Sequence, residues 1–79
     1  MSFEFPSISA DKLLKILKTA PLNYEIVRTR GSHRVLKSKS GYKQLVLALH
    51  NKSVSPKMVK NILIKDIGLQ LDEAKELFK

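Results

Sequence analysis

The chain contains two histidines, His33 and His50, and no cysteine. Imidazole is the side chain whose ordinary titration range suits proton transfer near neutral pH. His33 follows Gly31 and Ser32 and is surrounded in sequence by Arg28, Arg30, Arg34 and Lys37. Fixed positive charge nearby favours a neutral imidazole, the form that a general base needs. The same cations suit a phosphorane-like transition state, which carries extra negative charge. These residue types therefore point to attack of an RNA 2′-hydroxyl on the adjacent phosphate, assisted by one imidazole and needing no metal. The competing reading is a surface histidine beside a hairpin turn, and spacing alone does not separate the two.

The neighbouring candidates divide in the same way. Ser32 beside His33 is no hydrolase pair, because adjacent residues of a strand point to opposite faces. Gly31 reads first as a turn glycine, and secondly as a place where a phosphate backbone comes close. His50 closes a predicted strand just before Asn51, and the sequence leaves open whether it shares a side with His33. Two histidines without cysteine or a nearby carboxylate make a poor metal site, so neither metal nor cofactor is expected. Lys52, Lys57 and Lys60 cluster at the start of a predicted helix, where unpaired amides and the dipole favour a phosphate. Lys12, Lys15 and Lys18 read as a solvated helix face. Tyr24 and Tyr42 fit sheet or core packing better than base stacking, and the sequence contains no Walker loop and no paired-carboxylate motif.

Charge supports the polyanion reading. The 79 residues hold 15 Lys and Arg against 7 Asp and Glu, a net charge of +8. Thirteen of the basic residues and a single acid, Glu25, lie between Lys12 and Lys65, so this span carries +12 and both flanks are acidic. A dense positive field on a small body favours a nucleic-acid backbone. The length fits a single domain, residues 1–79, below the ~100–200 residues of a typical one. Absence of cysteine rules out disulfides and thiolate zinc sites. The longest apolar run, Leu45 to Leu49, falls far short of the ~20 residues that span a bilayer. The first residues lack a basic start and an apolar core, so a cytoplasmic protein without membrane contact is expected.

These residues need elements to hold them. Ser9 precedes Ala10, Leu13, Leu14 and Leu17, the stripe of an amphipathic helix that Pro21 stops. Tyr24 to Arg30 alternates β-branched and aromatic residues as a strand does. Gly31-Ser32 supplies a reversal into a second strand, Ser32 to Lys37. A turn at residues 39–41 leads to a third, Tyr42 to Leu49, apolar on both faces toward its end and so expected to be central or covered. Ser55, Pro56, the stripe Val59, Ile62 and Leu63, and Gly68 mark a second helix. Asp72 is placed to cap a short tail helix carrying Ala74, Leu77 and Phe78. The expected class is α+β in the order α-β-β-β-α, a three-strand antiparallel sheet with two helices on one face and a short C-terminal helix. Double-stranded RNA-binding domains are built this way, although a fold alone does not establish a function.

From Ile8 to Phe78 the chain resembles the HicA (YcfA-like) toxins of toxin–antitoxin pairs. The resemblance rests on ISADKLLKILK, on the hairpin EIVRTRGSHRVLKS with its glycine-serine-histidine turn, on a third strand ending in His50, on SPKMVKNILIKDIGL and on LDEAKELF. Leu22-Asn23-Tyr24 replaces the family's Gly-Trp, and Ala48-Leu49 stands where a proline often precedes the strand's histidine. The resemblance implies a double-stranded-RNA-binding-domain-like fold and a metal-independent endoribonuclease that cleaves mRNA and arrests translation. It implies His33 as the catalytic residue, with Gly31 and Ser32 as its motif partners. It also implies neutralisation by a HicB-type antitoxin covering the active face, the toxin being a monomer alone and part of a hetero-oligomer with its antitoxin. Two other readings stay open: a non-catalytic double-stranded RNA-binding module, and a protein-interaction domain.

Overall fold

A computed structural model describes residues 4–48 and 52–78. The elements are β1 (Ile8–Ser9), α1 (Ala10–Lys18), β2 (Tyr24–Arg30), β3 (His33–Ser38), β4 (Leu45–Ala48), β5 (Ser53–Val54), α2 (Pro56–Lys60) and α3 (Leu71–Glu76). The chain after α2 continues as a π-helical segment, Asn61–Asp66.

Helices α1 and α2 begin where their capping serines stand. The Ser9 hydroxyl accepts from the Lys12 amide at 3.1 Å, and Ser55 accepts from Met58 at 3.3 Å with Pro56 at the first helical position. Each cap satisfies one amide that has no partner inside its helix. In the π-helical segment the Ile67 amide reaches five residues back to the Ile62 carbonyl, at 3.0 Å. Gly68 then turns with φ +89°, a conformation that glycine adopts without steric cost. The tail helix starts two residues earlier than a cap at Asp72 requires. Gln70 caps it instead, and the Glu73 carboxylate accepts from the Gln70 amide at 2.9 Å. That reciprocal arrangement uses an acid three residues after the cap, which leaves Asp72 in the first turn.

The main sheet is antiparallel in the order β2-β3-β4. A second, two-residue ribbon pairs Ile8 with Val54 and Ser9 with Ser53, an element beyond those the sequence predicts. Strands of two residues are too short to show an alternation. The ribbon sets the starts of the helices side by side, with the Ala10 amide bonded to the Lys52 carbonyl at 2.8 Å.

The third main strand departs from expectation twice. It runs from Leu45 to Ala48 rather than from Tyr42, because the Lys43 carbonyl accepts from the Tyr24 hydroxyl at 2.6 Å instead of joining the ladder. It is also an edge strand, and β3 occupies the centre. Leu45 and Leu47 are buried, whereas Val46 is 61% exposed.

Paired residues of neighbouring strands share a face. One face of the sheet presents Tyr24, Leu36, Leu45 and Leu47, all buried. Leu13 and Leu17 of α1, Val59 of α2, and Leu63 and Ile62 beyond it complete the core on that side. The helices thus cover one face and leave the other open. Among the described residues no helix is long and apolar enough to cross a membrane.

Candidate functional site

Two rows of side chains cross the open face, and the strand register defines them. In the first, Arg30 of β2 stands opposite His33 of β3, which stands opposite Ala48 of β4. In the second, Arg28 stands opposite Val35, which stands opposite Val46. Rows on one face are two residues apart, about 6.6 Å at the ~3.3 Å rise of a strand. Arg28, Arg30 and His33 are solvent-exposed. The imidazole is therefore carried at the rim of a cationic sheet and is not sealed in the core.

Two local irregularities make this arrangement. The first is a β-bulge between Ile26 and Arg28. Before it, Ile26 pairs with Leu36 on the covered face; after it, Arg28 pairs with Val35 on the open one. A ladder continued from Ile26 without the extra residue would set Arg28 opposite Arg34 and Thr29 opposite His33. The inserted residue, Val27, turns the arginines onto the histidine's face. The second is the turn. With the register shifted, only Gly31 and Ser32 remain between the paired residues Arg30 and His33. Gly31 takes φ +60°, and Asn23 is the only non-glycine residue with positive φ among those described. A glycine at the first central position followed by an ordinary residue is the pattern of a type II′ hairpin turn, whose twist suits the flanking strands.

The remaining candidates fall in different places. Lys37 shares the open face, four residues along β3 from His33, opposite Glu25. Glu25 is held in an exposed ion pair with Lys39 at 3.5 Å. Arg34 adjoins His33 in sequence but faces the other way, paired with Thr29 and with the buried Leu47. Its guanidinium donates to the Ser32 carbonyl at 3.5 Å, so it braces the turn from the covered side. Lys52 and Lys57 are exposed, but they belong to the start of the ribbon and to the first turn of α2, not to the open sheet face. His50 lies outside the described residues. Among the described residues no three His, Cys, Asp or Glu side chains come together as metal ligands do.

A concavity lies elsewhere. A cavity of about 860 Å³ between α1 and α3 is lined by Ile16, Pro21, Leu22, Leu69 and Leu77 with a charged rim, and none of the residues predicted for the site borders it. The chemistry-bearing group is a flat, exposed surface. Such a surface fits a large polyanion better than an enclosed small molecule.

No curated protein and no solved structure matches this chain. The family described as the HicA toxin of bacterial toxin–antitoxin systems matches residues 10–69, a stretch that runs from the first residue of α1 to just beyond Gly68 and includes the bulged hairpin with its Gly31-Ser32-His33 turn. The chain belongs to the HicA toxin family.

Proposed function

We propose that this toxin is an endoribonuclease acting on mRNA, with His33 as its catalytic residue and Arg28 and Arg30 as its phosphate contacts. The observation that carries the reading is the row Arg30–His33 with Arg28 one row away, all exposed on the face without helices. In the reaction, the imidazole takes the proton of a ribose 2′-hydroxyl while its oxygen attacks the neighbouring phosphorus. The bond from phosphorus to the 5′-oxygen breaks, that oxygen takes a proton from water, and the imidazolium returns its own proton to solvent. The products are a 2′,3′-cyclic phosphate and a 5′-hydroxyl end. The arginines stabilise the added charge on the phosphoryl oxygens as it develops. Lys37 is spaced to hold another phosphate of the same strand. Arrest of translation in the cytoplasm follows from loss of message, and a HicB-type antitoxin neutralises the toxin by occupying this face.

The test is incubation of the purified toxin with an end-labelled transcript in EDTA, followed by analysis of the product ends. General acid–base catalysis by a positioned side chain contributes about 10²–10⁴-fold, so His33→Ala is expected to lower cleavage by that order while keeping the fold and most RNA affinity. Cleavage by His33→Ala at the wild-type rate removes His33 from the mechanism. A salt-sensitive gel shift by the wild-type protein without any product favours a non-catalytic RNA-binding module.

A further inference from the structure

The open face carries more apolar surface than a phosphate-binding site uses. Val46 is 61% exposed and Val27 is 48% exposed, and Val35 lies half-buried between their strands. Val35 and Val46 are direct cross-strand partners, and Val27 sits in the bulge beside the residue opposite Val35. The three form one aliphatic patch across the sheet. Exposed aliphatic side chains grouped in this way are costly in water and mark contact surfaces. A nucleic-acid strand gains little from them, since its bases stack on aromatic rings or guanidinium planes.

The surroundings select the occupant. Arg28, Arg30 and Lys37 border the patch, and Glu25, the one acid in the strands on that face among the described residues, is paired with Lys39. A second copy of the chain would bring like charges together around its own patch. The chain's helices pack on the opposite face. The charge therefore fits a protein surface with an aliphatic or aromatic side chain at its centre and carboxylates around it.

We infer that the antitoxin of this toxin–antitoxin pair anchors on Val46, Val35 and Val27, with its carboxylates on Arg28 and Arg30. This inference rests on the proposed function, in which the same face cleaves RNA. Its consequence is separability. The anchor lies one row, about 6.6 Å at ~3.3 Å per residue, from the His33 row. A body seated on the valines thereby covers the imidazole without bonding to it. Arg28 and Arg30 then serve both ligands, but the aliphatic anchor serves the antitoxin alone, and a change at Val46 releases the toxin from its antitoxin while leaving the nuclease intact.

The experiment uses the full toxin and its purified antitoxin, with wild-type toxin, Val46→Thr and Val46→Lys compared. Binding is measured by calorimetry, RNA cleavage is assayed with and without antitoxin, and thermal melting controls for folding. The expected result is at least a tenfold loss of antitoxin affinity in Val46→Lys and a smaller loss in the isosteric Val46→Thr. Cleavage without antitoxin should stay within about twofold of wild type. Wild-type antitoxin affinity in both variants overturns the inference. So does a parallel loss of cleavage and antitoxin binding in a folded variant, which assigns the patch to RNA. A concentration-dependent toxin dimer that Val46→Lys abolishes also overturns it, by assigning the patch to a second copy. If wild-type toxin cuts no RNA, the nuclease reading fails on its own, and the affinity comparison still decides where the antitoxin sits.

Discussion

Arg28 stands opposite Val35, whereas an unbroken ladder would place it opposite Arg34. That single-residue offset sorts the hairpin's cations. Arg28 and Arg30 go to the histidine's face and Arg34 goes to the covered one. It also separates like charges that a regular pairing would set directly across from one another, which is unfavourable.

The sorting predicts unequal roles for three arginines that look equivalent in sequence. For a protein on single-stranded RNA, each phosphate contact contributes about 0.7 to the slope of log affinity against log salt. Arg28→Ala and Arg30→Ala should each reduce the slope by about that amount in filter-binding titrations on a transcript. Arg34→Ala should leave the slope unchanged. An equal reduction for all three would contradict the sorting of the faces.

Gly31 is needed for its backbone and not for space. A Cβ added there meets no atom within 4 Å, yet the residue holds φ +60°. Holding an L-residue in this left-handed region costs roughly 1–2 kcal/mol. Gly31→Ala should lower the unfolding free energy by about that amount in urea titrations, and Gly31→Asn by less, since asparagine tolerates the region better. A neutral Gly31→Ala would mean that the turn relaxes to another type.

Burial raises the titration of the Tyr24 phenol above its ordinary value of 10.0, and the neighbouring Tyr42 adds to the shift. Below the unfolded value both states hold the proton, and the contribution is fully present. Above it the unfolded chain ionises first, so stability falls as pH rises toward the folded value. Tyr24→Phe should therefore soften the alkaline loss of stability between about pH 9 and pH 11 relative to wild type. At neutral pH it should cost about 1 kcal/mol through loss of the hydrogen bond to the Lys43 carbonyl. Identical alkaline profiles for the two proteins would show that Tyr24 does not hold its proton more tightly when folded.

The parts of the fold legible in the sequence are those with local signals. Ser9, Ser55 with Pro56, and Gly68 mark helix ends through residues within a few positions, and β2 appears with the bounds its alternation predicts. The parts that were not legible depend on partners far along the chain. The bulge at Val27 involves no glycine to announce it, and a slip of one residue exchanges the faces of every later side chain. For that reason the sequence offers Arg28, Arg30 and Arg34 as one cluster around His33, and only the register divides them. The exposure of Val46 is not legible in the sequence for a related cause. A strand apolar on both sides is ordinarily covered on both, but the helices cover only one face of this sheet and Val46 lies on the other. The shared face of Arg30 and His33 needed only a tight turn, and the Gly31-Ser32 pair announced that.

The ribbon joining Ile8 to Val54 has a consequence for biosynthesis. The hairpin and its neighbour β4 are local, but their packing side is closed by Val59, Leu63, Leu69 and Ala74, from the last third of the chain. While a ribosome is still making the middle of the polypeptide, the histidine-bearing strands have only α1 behind them and lack the rest of their core. The face that carries His33 thus gains its full support only once residues through Ala74 have been made, a delay set by the order of the elements alone.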